Sequence, residues 1–145
     1  MNTSQHRIKA FDSTLETTHR WLNELMTIAG LDNEAQAYSV LRVVLHALRN
    51  RLPVDEAVQL GAEMPMLIRG FYFEGWKPAL TPKKQRSLDD FIEGMEPFPK
   101  LHGALSPREA VEYVFKLIDH RISAGEIADV RQAMPAEIRD LWPLH

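Results

Sequence analysis

The chain has 145 residues, 45% of them apolar and 26% charged, and seventeen basic against twenty acidic side chains give a formal net charge of −3. That length suits one self-sufficient core, and that balance excludes disorder, fibrous repeats and a chain basic enough to condense on nucleic-acid phosphates by charge alone. Cysteine is absent, which removes disulfide scaffolds, thiolate zinc sites, iron–sulfur clusters and cysteine nucleophiles.

In chain order, Met1-Asn2-Thr3-Ser4-Gln5-His6-Arg7 is polar and runs straight into a helical pattern, with no apolar leader. Ile8, Phe11, Leu15, Leu22, Leu25 and Ala29, with Thr18 filling one step, predict a long first helix closed by Gly30. Ala37, Val40, Leu41, Val44, Leu45 and Leu48 mark the apolar face of a second helix ending near Arg51, and Arg42, His46 and Arg49 mark its other face. Pro53 opens a short helix carrying Ala57, Val58 and Leu60, which Met64-Pro65 breaks before opening another. From Trp76 to Ser87 the texture changes to a basic, proline-bearing, solvated linker, Lys77-Pro78 followed by Thr81-Pro82-Lys83-Lys84-Gln85-Arg86.

Leu88, Phe91, Ile92 and Met95 restart a helical face that Pro97-Phe98-Pro99 ends. Ser106-Pro107-Arg108-Glu109 combines an N-cap serine, a proline at the first helical position and a capping-box glutamate, and Ala110, Val111, Val114, Phe115 and Ile118 follow as its apolar stripe. Ser123-Ala124-Gly125-Glu126 is a second such start, and Met134-Pro135 breaks the helix it opens. The carboxyl end, Leu141-Trp142-Pro143-Leu144-His145, has no lipidation signal, and no apolar run reaches the roughly eighteen residues of a membrane span. The reading is an all-α, bacterial-type cytoplasmic protein with no membrane or nucleic-acid partner.

The second half repeats the first. Val44 to Arg69 aligns without gaps on Val114 to Arg139 at an offset of 70 residues, with seven identities in 26 pairs: Val44/Val114, Arg51/Arg121, Glu56/Glu126, Met64/Met134, Pro65/Pro135, Ile68/Ile138 and Arg69/Arg139. Upstream, Trp21/Phe91, Leu22/Ile92 and Leu25/Met95 continue the hydrophobic phase. The expected object is one domain over 1–145, with repeat 1 over about 8–76, a linker over 77–87 and repeat 2 over about 88–142. About eight helices in two tandem four-helix units would then share one interface about a pseudo-twofold axis, because roughly seventy residues alone make a marginal core.

Leu48-Arg49-Asn50-Arg51-Leu52-Pro53, Glu56-Ala57 and Met64-Pro65, followed by Ile68-Arg69-Gly70-Phe71-Tyr72-Phe73-Glu74-Gly75-Trp76, resemble the bacterial family catalogued as domain of unknown function 2267. The resemblance extends over nearly the whole chain and implies an all-helical duplicated domain, with no activity attached.

Chemical motifs are sparse. Glu16-Thr17-Thr18-His19 is the one Glu-x-x-His and its aligned copy carries Arg86 and Asp89, so a di-iron bundle is not expected. No two of His6, His19, His46, His102, His120 and His145 stand three or four apart, so no zinc-binding helix forms and no metal or cofactor is expected. Ala57-Val58-Gln59-Leu60-Gly61 has the spacing of a helix-turn-helix, but the helix after it is mostly apolar and offers one arginine to bases. No serine lies in a nucleophile elbow and no glycine loop cradles phosphate, so catalytic residues are not assigned.

The duplicated polar residues predict structural pairs, Glu56 with Arg69 and Glu126 with Arg139, clamping short helices around each Met-Pro corner. Arg69, Tyr72, Glu74, Trp76 and Lys77 form the candidate surface, since large aromatics with polar tips beside cations make interface hot spots. The functional expectation is a non-enzymatic module acting through protein–protein contact or self-association. The alternative is a small-molecule or anion-binding protein that uses the repeated arginines and segment 69–77 as its pocket.

Overall fold

The computed structural model describes residues 7–84, 87–95 and 105–144. Among the described residues it holds eight α-helices and no strand: α1 (Lys9–Ala29), α2 (Glu34–Arg51), α3 (Val54–Ala62), α4 (Met66–Phe73), α5 (Leu88–Glu93), α6 (Pro107–Arg121), α7 (Ala124–Gln132) and α8 (Ala136–Arg139). The Pro97-Phe98-Pro99 stop, Gln85-Arg86, and His6, His102 and His145 lie outside the described residues.

Helix ends follow local chemistry. Gly30 closes α1 at φ 68°, a left-handed conformation that glycine adopts without a Cβ clash, and its N–H reaches Met26 O. The Asn33 side chain accepts from Gln36 N–H at the start of α2, and Ser87 does the same for Asp90 N–H in α5. Ser106 and Glu109 complete the capping box of α6. Pro53, Pro65 and Pro135 stand as N-caps with ψ of 146°, 154° and 152°, so each proline lets a helix begin where its predecessor could not continue one. Ser123 caps Glu126 N–H, but the reciprocal half of the expected box is absent because Ser123 N–H and Oγ–H both donate to Glu63, at 3.0 and 2.9 Å.

Helices α2 and α6 pack together in the middle, with α1 against both and α3 against α7. Val40, Leu41, Val44, Leu45 and Leu48 of α2 and Val111, Val114, Phe115 and Ile118 of α6 are completely buried. Phe115 stacks on Trp142 with ring centres 4.1 Å apart and meets the edge of Phe91 at 6.3 Å, so aromatics from three parts of the chain close this core.

Two faces are covered in ways that helical periodicity alone does not specify. On α1, Trp21, Leu22 and Leu25 are buried, whereas Ile8, Phe11 and Leu15 are exposed. The first half of α1 meets the start of short α4, where Leu67 N–H donates to Thr14 Oγ1 at 3.0 Å, and that helix leaves those apolar side chains in solvent. On α2 the Arg42, His46, Arg49 row lies against α4, and Arg49 is only 4% exposed.

Candidate functional site

The α2 row grips the end of α4. Arg42 Nη2 pairs with Glu74 at 2.7 Å, His46 Nε2 donates to Phe71 O at 2.6 Å, and Arg49 Nη1 donates to both Tyr72 O and Glu74 O at 2.7 Å. A helix end leaves its last carbonyls unsatisfied and partly negative, so donors three to four residues apart on a neighbour suit it. Phe71 O can only accept, so the His46 proton sits on Nε2, and burial lowers the pKa of this imidazole.

That grip carries the aromatic segment inward. Tyr72 is completely buried, its hydroxyl donates to Ala57 O at 2.7 Å, and burial pushes its phenol pKa upward. Phe71 is buried and meets the Tyr38 edge at 5.2 Å, while Trp76 is half-buried and stacks on Phe73 at 5.5 Å. Tyr72 is therefore not the surface residue its composition suggested, because a phenol whose hydroxyl finds a carbonyl can enter a core without loss. Of the five candidate surface residues, Arg69, Glu74 and Lys77 are exposed, and Glu74 is held by Arg42.

Arg69 and Arg139, which align in sequence, bind carbonyls instead of the glutamates. Arg69 donates to Gly61 O (3.0 Å), Met64 O (2.9 Å) and Ala62 O (3.3 Å), and Arg139 to Arg131 O (3.1 Å) and Met134 O (2.8 Å). The Glu56–Arg69 and Glu126–Arg139 bridges do not form, since each guanidinium satisfies the open carbonyls around its own Met-Pro corner.

The two glutamates meet each other. One carboxylate oxygen from each of Glu56, Glu126 and Asp129 lies within 4.8 Å of the others, where α3 packs on α7. Oε2 of Glu56 and Oε2 of Glu126 are both buried with no donor facing them. Carboxylate oxygens only accept, so a proton between the two satisfies both. Glu126 is 7% exposed, and burial, followed by hydrogen bonding to and repulsion from Glu56, pushes its carboxyl up to about 8, with Glu63 and Asp129 adding repulsion. A carboxyl raised that far keeps one proton for the pair at neutral pH. Oxygen donors in this set match a hard divalent cation in type, but the shared proton already answers the two orphaned atoms. Spacing along one helix could not reveal this cluster. The identity of Glu56 and Glu126 in the repeat was its one sequence signal.

An apolar groove runs between α1 and α4. Leu15, Leu22, Tyr38, Leu67 and Phe71 line a cavity of about 570 Å3 whose rim also carries His19 and Glu74, and Phe11, Thr14, Leu15, Met66, Leu67 and Gly70 line an adjoining one of about 400 Å3. Phe11 is 54% and Met66 53% exposed, with Ile8, Leu15 and Leu67 also in solvent. In the sequence the α1 residues mark a long helix, and periodicity identifies an apolar face without showing what covers it.

An all-helical chain with short helices turned at Met-Pro corners defines the structural class. The family model described as uncharacterized conserved protein, DUF2267, matches residues 18–141, and the chain belongs to that family. No curated protein matches the chain.

Proposed function

We propose that the protein is a non-enzymatic contact module made of two tandem four-helix units, and that its α1/α4 face pairs with a second copy of the chain. The observation that carries the reading is the set of exposed apolar side chains Phe11, Leu15, Met66 and Leu67 lining one open groove, with Ile8 exposed at the start of the same helix. A monomer gains nothing from leaving so many large apolar groups together in water.

The tandem-unit reading draws support from matching ends: α3 and α7 cover Val54–Ala62 and Ala124–Gln132, the same span at the repeat offset, and Pro65 and Pro135 both sit at φ −58°. Against that common frame the groove belongs to one unit. Ala136 and Glu137 stand where Met66 and Leu67 do, and Pro78, Thr81 and Gln85 align with Ile8, Phe11 and Leu15. A second copy fits as occupant because one face carries both a groove and an exposed apolar ridge at the start of α1, so a twofold contact buries both at once.

Sedimentation velocity over a concentration series tests this. The wild type is expected to dimerise, while Leu67→Glu and Gly70→Leu stay monomeric with unchanged melting temperatures. Position 67 is exposed, and a Cβ at Gly70 meets nothing within 4 Å, so neither change disturbs the core. A wild type that remains monomeric at every concentration, or variants that still dimerise, overturns the assignment.

A further inference from the structure

We propose that the pocket formed where the linker after α4 folds back on the end of α2 binds a tetrahedral oxyanion, the phosphoryl group of a phosphate or phosphate ester. Arg49, Lys77 and Lys83 line this cavity together with Asn50, Gly75 and Thr81, and among the described residues no carboxylate lines it. Three cations are thereby gathered with no acid among the described lining residues, in a chain whose net charge is −3. Their mutual repulsion is what a bound anion offsets.

The guanidinium at the pocket wall is fixed in place. Arg49 Nη1 is held by Tyr72 O and Glu74 O, and Nε donates to Asn50 Oδ1 at 3.0 Å, so its partners among the described residues are neutral groups. Nη2 is bonded to none of the described residues. A buried, oriented guanidinium with an unused edge needs little reordering to accept an anionic oxygen, and charge-assisted hydrogen bonds to phosphate are among the strongest a side chain makes. The opposite wall is equally anchored: Lys83 N–H donates to Asn50 O at 2.8 Å, Leu80 N–H to Lys77 O at 2.9 Å, and Thr81 N–H to Pro78 O at 3.0 Å.

Size sets the ligand class. The cavity measures about 100 Å3, well below the roughly 300–1,000 Å3 of pockets that enclose a whole metabolite, so a head group enters and the remainder of any ester stays outside. The feature also stands apart from the repeat, since Asp119 and His120 align with Arg49 and Asn50. A carboxylate in the matching place would repel the same ligand.

The experiment is an NMR titration of the 15N-labelled full chain with inorganic phosphate, and separately with methyl phosphate, against chloride at matched ionic strength. Saturable shifts of the Gly75 and Thr81 amides are expected with phosphate and absent with chloride. Equal saturation by methyl phosphate assigns the site to a phosphate ester, and saturation by inorganic phosphate alone assigns it to the free ion. The exposed pair of changes Lys77→Gln and Lys83→Gln, with melting temperature as the control on folding, is expected to weaken binding by about tenfold or more. Lys9→Gln, on α1, leaves it unchanged. No saturable shift with either phosphate, or an affinity indifferent to loss of both lysines, overturns the proposal.

Discussion

Glu126 and His46 pull the pH dependence of stability in opposite directions. Because the Glu126 carboxyl rises from its ordinary 4.5 to about 8, the folded chain holds a proton that the unfolded chain has released throughout that interval. Stability from this group is complete below 4.5 and is lost as pH climbs towards 8. Burial lowers the His46 pKa from 6.5, so the unfolded chain takes up a proton first and stability from that group is lost as pH falls below 6.5. Glu126→Gln keeps a donor towards Glu56 and removes only the first of these effects. Relative to wild type, its melting temperature is expected to rise progressively between about pH 5 and pH 8, measured by thermal melts in a buffer series. A difference that stays constant with pH contradicts the shared proton. The sequence alignment at an offset of 70 residues singled out these two carboxylates, yet only the packing of α3 on α7 showed that they face each other rather than Arg69 and Arg139.

At the scale of one element, α4 shows how a short helix depends on its neighbours. Eight residues are too few to hold helical structure alone in water. Thr14 supplies an acceptor at its start, Arg42, His46 and Arg49 supply donors at its end, and Gly61 lets its aromatic face lie close to α3. A Cβ on Gly61 would stand 2.5 Å from Phe73 Cζ and 2.9 Å from Tyr72 Cε2, both parts of packed rings. Gly61→Ala is therefore expected to cost about 1–3 kcal/mol by overpacking despite the better helix propensity of alanine, read as a lower urea midpoint with an unchanged slope. An unaltered midpoint would mean that the rings shift without penalty. The aligned position holds Arg131, whose Nη1 reaches Pro143 O at 3.4 Å, because proline replaces phenylalanine there and leaves room for a side chain. The Ala-x-x-x-Gly spacing thus marks a close helix approach, a role its sequence pattern shares with DNA-reading turns.

Across the whole molecule, the ends of α2 and α6 are tied to helices distant in sequence. Glu24 of α1 accepts from His120 at 2.7 Å and from Arg121 at 2.8 Å, while Arg51 at the end of α2 lies over the Phe91 ring at 5.5 Å and donates to Asp90 O at 3.3 Å. The aligned arginines therefore reach in opposite senses, each towards the first helix of the other proposed unit. Gly94, aligned with Glu24, leaves the space that the Arg51 guanidinium occupies. Glu24→Ala is expected to lower unfolding free energy by about 1–2 kcal/mol, between an exposed and a fully buried pair, in urea denaturation followed by circular dichroism. No change would show that the α1–α6 contact rests on apolar packing alone.

What the sequence determined by itself was everything that depends on neighbours along the chain. Helical periodicity, the Gly30 stop, the Ser106–Glu109 box and the prolines at the Met-Pro corners specify the eight helices of the described residues and several of their ends, because each is a matter of local dihedrals and of donors within one turn. Coverage was decided only by tertiary structure. Whether an apolar stripe meets a partner, as Leu22 and Leu25 do, or stands in water, as Phe11 and Leu15 do, depends on which helix arrives opposite it. The same holds for charge. Arg49 lies in the polar row opposite the apolar face of α2, and it is a buried clamp beside Lys77 and Lys83 because the end of α4 and the linker fold onto it, a long-range arrangement that spacing along one helix does not encode.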